Sequence, residues 1–125
     1  MILGTGTDLL EIARIRQSID RFGDRFLSRI FTPREIQYCS RKKNAAESFA
    51  ARFAAKEAAA KALGTGISHG VTWLEIEITR EPSGKPGLQL LGRAADRARS
   101  LGVTRTSLSL THSRDLALAI VIMES

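Results

Sequence analysis

Apolar residues in the first half of the chain recur at helical spacing between glycine and proline stops. Residues 2–8 are predicted to form a short strand, in which Gly4 and Gly6 would let another backbone approach closely. The apolar positions that follow are three or four residues apart, which is typical of one face of a helix: Ile12, Ile15, Ile19 and Phe22. We expect this helix to end at Gly23 and a second short helix to begin with Asp24 as its N-cap.

Two capping patterns mark the helix starts that come next. Residues 32–35 read Thr-Pro-Arg-Glu, which supplies an N-cap threonine, a proline in the first turn and a glutamate able to close a capping box. Asn44 offers another N-cap before an alanine-rich helix predicted at about 44–63. Gly64 follows at the position where a glycine commonly ends a helix. Two further helices are therefore predicted, and the second is long.

The second half of the chain changes to the twofold alternation of strands. Residues 72–79 alternate between apolar and polar side chains, which predicts a half-buried strand. The later segments are predicted, in order, as a turn at 82–86, a return strand at 88–90, a helix at 91–101 and strands at 104–111 and 116–123. The last strand is apolar enough to be buried on both faces. Helices first and strands interleaved later indicate a single α+β domain, 1–125, with an antiparallel sheet.

Composition narrows the classes of protein to which the chain can belong. With 125 residues and 43% hydrophobic content, it has the size and makeup of one globular domain. Its single cysteine, Cys39, excludes an internal disulfide framework and suits a reducing compartment. Signal-peptide features and long apolar runs are absent, so we expect a soluble cytoplasmic protein. The formal net charge of +6 favours a polyanionic partner without identifying it.

The long predicted helix carries the first candidate chemistry. Its side chains at four-residue spacing lie on nearly one face: Phe49, Phe53, Glu57 and Lys61. A carboxylate at the edge of an apolar stripe is paired, protonated or bound to a metal ion. Glu57 could therefore form an ordinary i,i+4 pair with Lys61 on the solvent side, or it could bind a cation.

Asp8 also admits two interpretations. It could cap the helix that follows, with Glu11 completing a capping box. It could instead be a ligand at the end of the first strand. A carboxylate from a strand and Glu57 from a helix could together bind Mg²⁺, which uses few protein oxygens and leaves coordination positions for phosphates.

Basic residues and glycines surround the same helix. Arg52, Lys56 and Lys61 lie on it, and the Gly-Thr-Gly sequence at 64–66 could either present N–H groups to a phosphate or only cap the helix. His112 lies between the two final strands, where a lone histidine is more often structural than catalytic. The first two helices carry arginines that would face outward together and suit an acidic helical partner: Arg14, Arg16, Arg21, Arg25 and Arg29.

These features together resemble the holo-acyl-carrier-protein synthase family, the small class of 4′-phosphopantetheinyl transferases. The segment 52–66, which begins Arg-Phe-Ala-Ala-Lys-Glu-Ala and ends Gly-Thr-Gly, is long and highly specific. Shorter matches occur in the family's order at 4–8, 31–35, 84–86 and 109–112. The family often has serine at the position of Thr111, and threonine keeps the hydroxyl. The resemblance spans almost the whole chain.

The resemblance implies a fold and a reaction. The fold is an antiparallel sheet packed against a long helix, and small members of the family are homotrimers with active sites between neighbouring subunits. The reaction moves 4′-phosphopantetheine from coenzyme A to a serine of apo acyl carrier protein in fatty acid biosynthesis, with Mg²⁺ as cofactor. Phosphoryl transfer of this kind depends on positioning and electrostatics and requires no protein nucleophile.

The resemblance also implies roles for particular residues. Asp8, Glu57 and Lys61 match the catalytic positions, and the first two match the metal ligands. Glu57 or a metal-bound water would accept the proton of the carrier serine. The positions that match coenzyme-binding residues are Arg52, Lys61, Gly64, Thr65, Gly66, Ser68, Pro86 and His112. Arg14 and Arg21 resemble the surface that docks the acidic helix of the carrier.

Two other functions remain open from the residues alone. A small nucleic-acid-binding module would suit the basic pI of about 10.2, but the chain has one Trp and one Tyr, and bases need aromatic stacking platforms. A carrier-binding protein without catalysis would need the arginine surface but not Asp8, Glu57 and Lys61 together. The joint presence of these three residues favours the enzyme.

Overall fold

The computed structural model describes every residue from 1 to 125. The strands are β1 (Ile2–Glu11), β2 (Ile76–Arg80), β3 (Pro86–Leu90), β4 (Arg105–His112) and β5 (Leu116–Glu124). The helices are α1 (Ile12–Phe22), α2 (Asp24–Ile30), α3 (Pro33–Ser40), α4 (Ala45–Ala62) and α5 (Gly92–Leu101). None of these helices has the length and apolar character that crossing a membrane requires. The predicted α+β class with antiparallel pairing is confirmed.

Local capping sets the helix bounds in the first half. Gly23, at a φ of 55°, ends α1 as predicted. The prediction that Asp24 caps α2 is wrong, because Gly23 is the N-cap and Asp24 is the first helical residue. At this position the negative charge of Asp24 still stabilises the helix, because the N-terminal end of a helix carries a partial positive charge. The capping box of α3 is complete: Thr32 N–H donates to Glu35 Oε1 at 2.8 Å, and Glu35 N–H donates to Thr32 Oγ1 at 3.3 Å. Asn44 caps α4 as predicted.

A three-stranded antiparallel sheet in the order β1-β5-β4 forms the centre of the fold, and α4 packs across one of its faces. Two glycines of β1 let the strand run directly against the helix backbone. A Cβ atom on Gly6 would lie 1.8 Å from the carbonyl oxygen of Ala58, and one on Gly4 would lie 2.1 Å from that of Ala62. The predicted close approach is confirmed, and β1 continues past residue 8 to Glu11 because it pairs with β5 over this length.

The predicted strand at 72–79 is correct only in its second part. Residues Trp73–Glu75 form a 3-10 turn, and β2 begins at Ile76 to form a hairpin with β3. Glu75 fixes the turn, because its Oε1 accepts the N–H of Thr72 at 3.0 Å and its Oε2 accepts the N–H of Arg93 at 2.6 Å. A polar residue that caps a turn fits strand alternation equally well, so the alternating pattern did not distinguish the two structures.

The face of the sheet opposite α4 is uncovered in the single chain. On β5 the inward residues are fully buried: Ala117, Ala119, Val121 and Met123. On the outward side, Leu116 is 38% exposed and Ile120 is 39% exposed. The prediction that β5 is buried on both faces is therefore wrong for one chain alone. We call this uncovered side of β1, β5 and β4 the outer sheet face.

Candidate active site

Asp8 on β1 and Glu57 on α4 line the same surface groove, which has a volume of about 580 Å³. The close contact between β1 and α4 brings the two carboxylates to this place. Arg14 of α1 also lines the groove. Its apolar wall consists of Leu9, Leu10, Ile15, Phe26, Phe53 and Leu116. We call this space the carboxylate groove.

Lys61 links the strand and the helix beside this groove. Its Nζ lies 3.2 Å from Asp8 Oδ1 and donates to the carbonyl oxygen of Thr7 at 3.0 Å. Asp8 does not cap α1, whose N-cap is Glu11 without a side-chain hydrogen bond. Lys61 pairs with Asp8 rather than with Glu57, so the simple i,i+4 pair is also absent. Strand and helix thus bring together the three residues that the sequence predicts as catalytic.

Glu57 has a different partner from the one that spacing along the helix suggested. The indole Nε1 of Trp73 donates to Glu57 Oε1 at 3.1 Å. The other oxygens of the two carboxylates, Asp8 Oδ2 and Glu57 Oε2, have no side-chain or backbone donor. Each carboxylate is therefore held by one oxygen and leaves the other available.

A second groove brings together Arg52 of α4, Pro86 of β3 and His112 of β4. Its other basic lining residues are Lys42, Lys43 and Arg80. His112 Nδ1 lies 3.2 Å from Glu47 Oε1. We call this space the basic groove.

Arg52 is buried in the basic groove beneath an aromatic ring. Its guanidinium carbon lies 4.1 Å from the ring centroid of Tyr38, and its Nε has no hydrogen-bond partner. Burial raises the pKa of the Tyr38 hydroxyl, but a hydrogen bond with Lys42 and the charges of Arg80, Lys42 and Arg52 outweigh it and lower the pKa overall. A buried cationic donor without a partner, among other cations, is typical of an anion-binding surface.

The loop after α4 lies apart from both grooves. Gly64 and Thr65 line a separate depression whose other lining residues include Arg93 and Arg97. The N–H of Gly64 donates to Lys61 O at 2.9 Å, and the N–H of Gly66 donates to Ala60 O at 3.0 Å. The two glycine N–H groups thus cap the helix, and the capping interpretation is confirmed for them. Ser68 closes the same loop by donating to Thr65 O.

The arginines of α1 and α2 are all exposed, as predicted: Arg14, Arg16, Arg21, Arg25 and Arg29. Arg14 borders the carboxylate groove, whereas Arg21 lies at the end of α1 with its guanidinium 5.2 Å from the ring centroid of Phe22. The basic surface therefore begins at the predicted catalytic residues and continues along α1.

Residues 4–121 match the model of the 4′-phosphopantetheinyl transferase superfamily. The chain belongs to this superfamily. Two similar superfamily proteins are named holo-[acyl-carrier-protein] synthase. The one from Koribacter versatilis is 59% identical over 124 residues, which is 99% of each chain. The one from Solibacter usitatus is 54% identical over the full length of both chains.

Solved structures in the superfamily share the fold of this chain. The holo-[acyl-carrier-protein] synthase of Neisseria meningitidis superposes with a TM-score of 0.90 at 39% identity, and all of both chains is covered. The Helicobacter pylori enzyme in complex with coenzyme A gives a TM-score of 0.85 at 33% identity, covering 96% of this chain and 99% of that one. The family resemblance inferred from the sequence motifs is thereby confirmed.

The sequence does not predict two contacts that the candidate site residues make in the folded chain. The alternating pattern places Trp73 in a strand, and the only sequence signal for its contact with Glu57 is that the chain has a single tryptophan. The contact between Tyr38 and Arg52 has no signal in the sequence, because α3 and α4 meet only in the folded chain.

The carboxylate groove, the basic groove and the depression at the loop 64–68 are separate in the single chain, because they share no lining residue.

Proposed function

We propose that the chain transfers 4′-phosphopantetheine from coenzyme A to a serine of apo acyl carrier protein, in fatty acid biosynthesis. The products are holo carrier and adenosine 3′,5′-bisphosphate. The observation that carries this proposal is the grouping of Asp8, Glu57 and Lys61 at one groove, in a chain whose full-length relatives are holo-[acyl-carrier-protein] synthases. Enzymatic transfer is favoured over nucleic-acid binding, since a binding module would not require this grouping.

The two carboxylates suit Mg²⁺ as the cofactor. Asp8 and Glu57 each have one oxygen without a donor, and the chain has no cluster of three or more His, Cys, Asp or Glu side chains that could enclose a metal. Mg²⁺ is commonly held by one or two carboxylates together with substrate phosphates, so a two-carboxylate site fits this ion. When bound, Mg²⁺ would supply positive charge to the pyrophosphate of coenzyme A.

Lys61 would contribute a second positive charge next to the reacting phosphate. Its side chain is 53% exposed, and the two hydrogen bonds to β1 fix its ammonium group. The serine oxygen of the carrier forms a bond to the β-phosphorus of coenzyme A, and the bond to the departing adenosine bisphosphate breaks. The serine proton would pass to Glu57 or to a water molecule. A fixed cation beside the phosphoryl oxygens stabilises the charge that develops during this exchange.

A homotrimer would complete the active site. Arg52, Pro86 and His112 lie in the basic groove, away from the carboxylates, so one chain does not gather the residues proposed to bind coenzyme A. We propose that the carboxylate groove of one subunit and the basic groove of its neighbour face each other, with Gly64, Thr65, Gly66 and Ser68 at the same cleft. The exposed apolar residues of the outer sheet face support association of subunits.

Arg14 and Arg21 are proposed to dock the acidic helix of the carrier protein. Both side chains are exposed on α1, and Arg14 borders the groove in which the serine would react. Opposite charges steer such encounters and align the partners. Because its substrates are coenzyme A and a carrier protein, the enzyme is proposed to act in the cytoplasm.

Mass spectrometry of an apo acyl carrier protein tests the function. Incubation with the protein, coenzyme A and Mg²⁺ should add one phosphopantetheine group to the carrier. EDTA should abolish the gain, and Asp8→Ala should abolish it while leaving carrier binding within a few-fold. Absence of any gain on several carriers would contradict the proposed function.

A further inference from the structure

We infer that Trp73 is a positioning residue that holds Glu57 in the orientation required for metal binding. This inference rests on the proposed role of Glu57 as a ligand. The indole Nε1 of Trp73 donates to Glu57 Oε1 at 3.1 Å and is the one donor that this carboxylate has. Glu57 Oε2 is thereby left for a cation.

Adjacent residues of α4 hold Trp73 from opposite ends. Glu57 accepts the indole N–H, while the Nζ of Lys56 donates to the backbone carbonyl of Trp73 at 2.9 Å. Lys56 is itself immobilised, because it has no exposure to solvent and its Nζ lies 2.6 Å from Glu35 Oε1. The tryptophan is therefore fixed relative to the same helix that carries the metal ligand.

The turn that carries Trp73 is also anchored on its other side. Glu75 accepts the N–H groups of Thr72 and Arg93, and the N–H of Leu91 donates to Glu75 O at 2.8 Å. The indole ring lies against Phe53, with 6.3 Å between the ring centroids. Backbone and ring are both restrained, so the indole N–H is directed at Glu57 before any ligand arrives.

The chemistry of the indole suits this task. An indole nitrogen only donates, so it cannot itself bind a metal ion or accept a proton. It is uncharged, and it therefore orients the carboxylate without competing with a cation for its negative charge. Loss of such an outer partner of a metal ligand typically weakens metal binding about 10–100-fold.

The test replaces Trp73 by 3-benzothienylalanine, an isostere with sulfur in place of the indole N–H. The chain has one Trp, so replacing all tryptophan changes this site alone. Binding of Mn²⁺ alone, followed by EPR of the free ion, should weaken by about 10-fold. The urea midpoint should stay near that of the native chain, because ring shape and packing are kept. The apparent KM for Mg²⁺ should rise, and kcat at saturating Mg²⁺ should recover to within a few-fold.

Two further variants make the outcome decisive. Trp73→Phe keeps a ring without the N–H and should reproduce the weaker Mn²⁺ binding. Leu74→Ala changes the exposed neighbour of Trp73 in the same turn but leaves the indole and its N–H, and it should bind Mn²⁺ as the native chain does. Unchanged Mn²⁺ affinity in the isostere would overturn the inference.

The native protein and Glu57→Gln separate this inference from the proposed function. Bound Mn²⁺ should quench the emission of Trp73 in the native chain, and Glu57→Gln should abolish the quenching. If Glu57→Gln binds Mn²⁺ normally, the metal site fails and the inference fails with it. If Glu57→Gln loses binding and the isostere does not, only the role of Trp73 is wrong.

Discussion

Lys56 is a charged residue without exposure to solvent, and its surroundings explain how the fold tolerates it. Its Nζ lies 2.6 Å from Glu35 Oε1 and donates to the carbonyl oxygens of Trp73 and Ile76 at 2.9 and 2.8 Å. The other oxygen of Glu35 accepts the N–H of Ile78 at 2.8 Å. Each partner is thus satisfied, and the pair connects α3, α4 and β2. Removing one partner would leave the other buried and uncompensated.

Replacing Lys56 by methionine should therefore destabilise the fold strongly. We expect the free energy of unfolding of Lys56→Met to fall by about 3–5 kcal/mol, because the Glu35 carboxylate loses its counter-charge in the interior. Urea unfolding measures this loss. The double variant Glu35→Gln/Lys56→Met should lose less than the sum of the two single variants, and strictly additive losses would contradict the coupling.

The difference in stability between the native chain and Lys56→Met should depend on pH, and the direction of the pKa shift of Lys56 sets the sign of that dependence. Burial lowers the pKa of Lys56 from its ordinary value of 10.5, although the Glu35 carboxylate opposes the change. Between the lowered pKa and 10.5 the unfolded chain holds a proton that the folded chain has released, so stability rises with pH across this interval. The stability advantage of the native chain over Lys56→Met should grow as the pH rises from the lowered pKa towards 10.5, and a shrinking advantage would contradict the lowered pKa.

At the scale of elements, the contact between β1 and α4 determines where the proposed catalytic residues meet. Gly4 and Gly6 leave no room for a side chain between the strand and the helix backbone. Asp8 follows on the same strand, and Lys61 reaches it from the helix at 3.2 Å. The spacing between these two elements therefore sets the geometry of the carboxylate groove.

Gly6→Ala should separate the two elements and disable the site. The added methyl group would meet the carbonyl oxygen of Ala58, which belongs to a helix backbone and cannot turn aside. We expect a loss of about 1–3 kcal/mol in the free energy of unfolding. Transfer to the carrier should fall about 100-fold, since a displacement of about 1 Å at a reacting site can have this effect.

A substitution on another strand serves as the control for Gly6→Ala. Gln89→Thr shortens an exposed side chain of β3, a strand that pairs with β2 and not with β1. It should leave both unfolding and transfer close to native values. Native transfer by Gly6→Ala would show that the contact between β1 and α4 does not set the geometry.

Elements with their own local signal could be predicted from the sequence, and elements defined by distant contacts could not. The capping box at Thr32 and the glycine stop at Gly23 depend on adjacent residues, and both are confirmed. The turn at 73–75 depends on Glu75 bonding to α5, so alternation alone misassigned it. Likewise, the sequence groups Lys56 with the other basic residues of the long helix and does not indicate its burial, because its partner Glu35 lies on another helix.

At the scale of the whole molecule, a single chain leaves an apolar surface exposed and keeps the proposed site residues in separate grooves. The outer sheet face exposes apolar residues of β5, and the proposed coenzyme residues lie in grooves that do not meet. The sequence motifs include residues of both grooves, but they do not indicate whether two grooves of one chain or of two neighbouring chains form an active site. An oligomer could bury the outer sheet face and, in the same assembly, bring the carboxylate groove of one chain to the basic groove of another.

Mixed oligomers test this arrangement directly. Asp8→Asn disables the carboxylate groove, and Arg52→Met disables the basic groove while keeping most of the side-chain volume. Each variant alone should be inactive in transfer. When the two are unfolded, mixed equally and refolded together, about a quarter of the sites should combine two intact grooves, so transfer should return to about that fraction of the native rate.

The recovery separates a site shared between subunits from a site within one chain. If one chain formed the whole site, every site in the mixture would carry one defect and no transfer would return. The same variants refolded separately and then mixed provide the control, because intact oligomers that do not exchange subunits should stay inactive.

Size-exclusion chromatography with light scattering should give three subunits for the native chain. Replacing exposed Ile120 by glutamate places a charge on the outer sheet face, so this variant should be a monomer that retains Mn²⁺ binding but loses transfer.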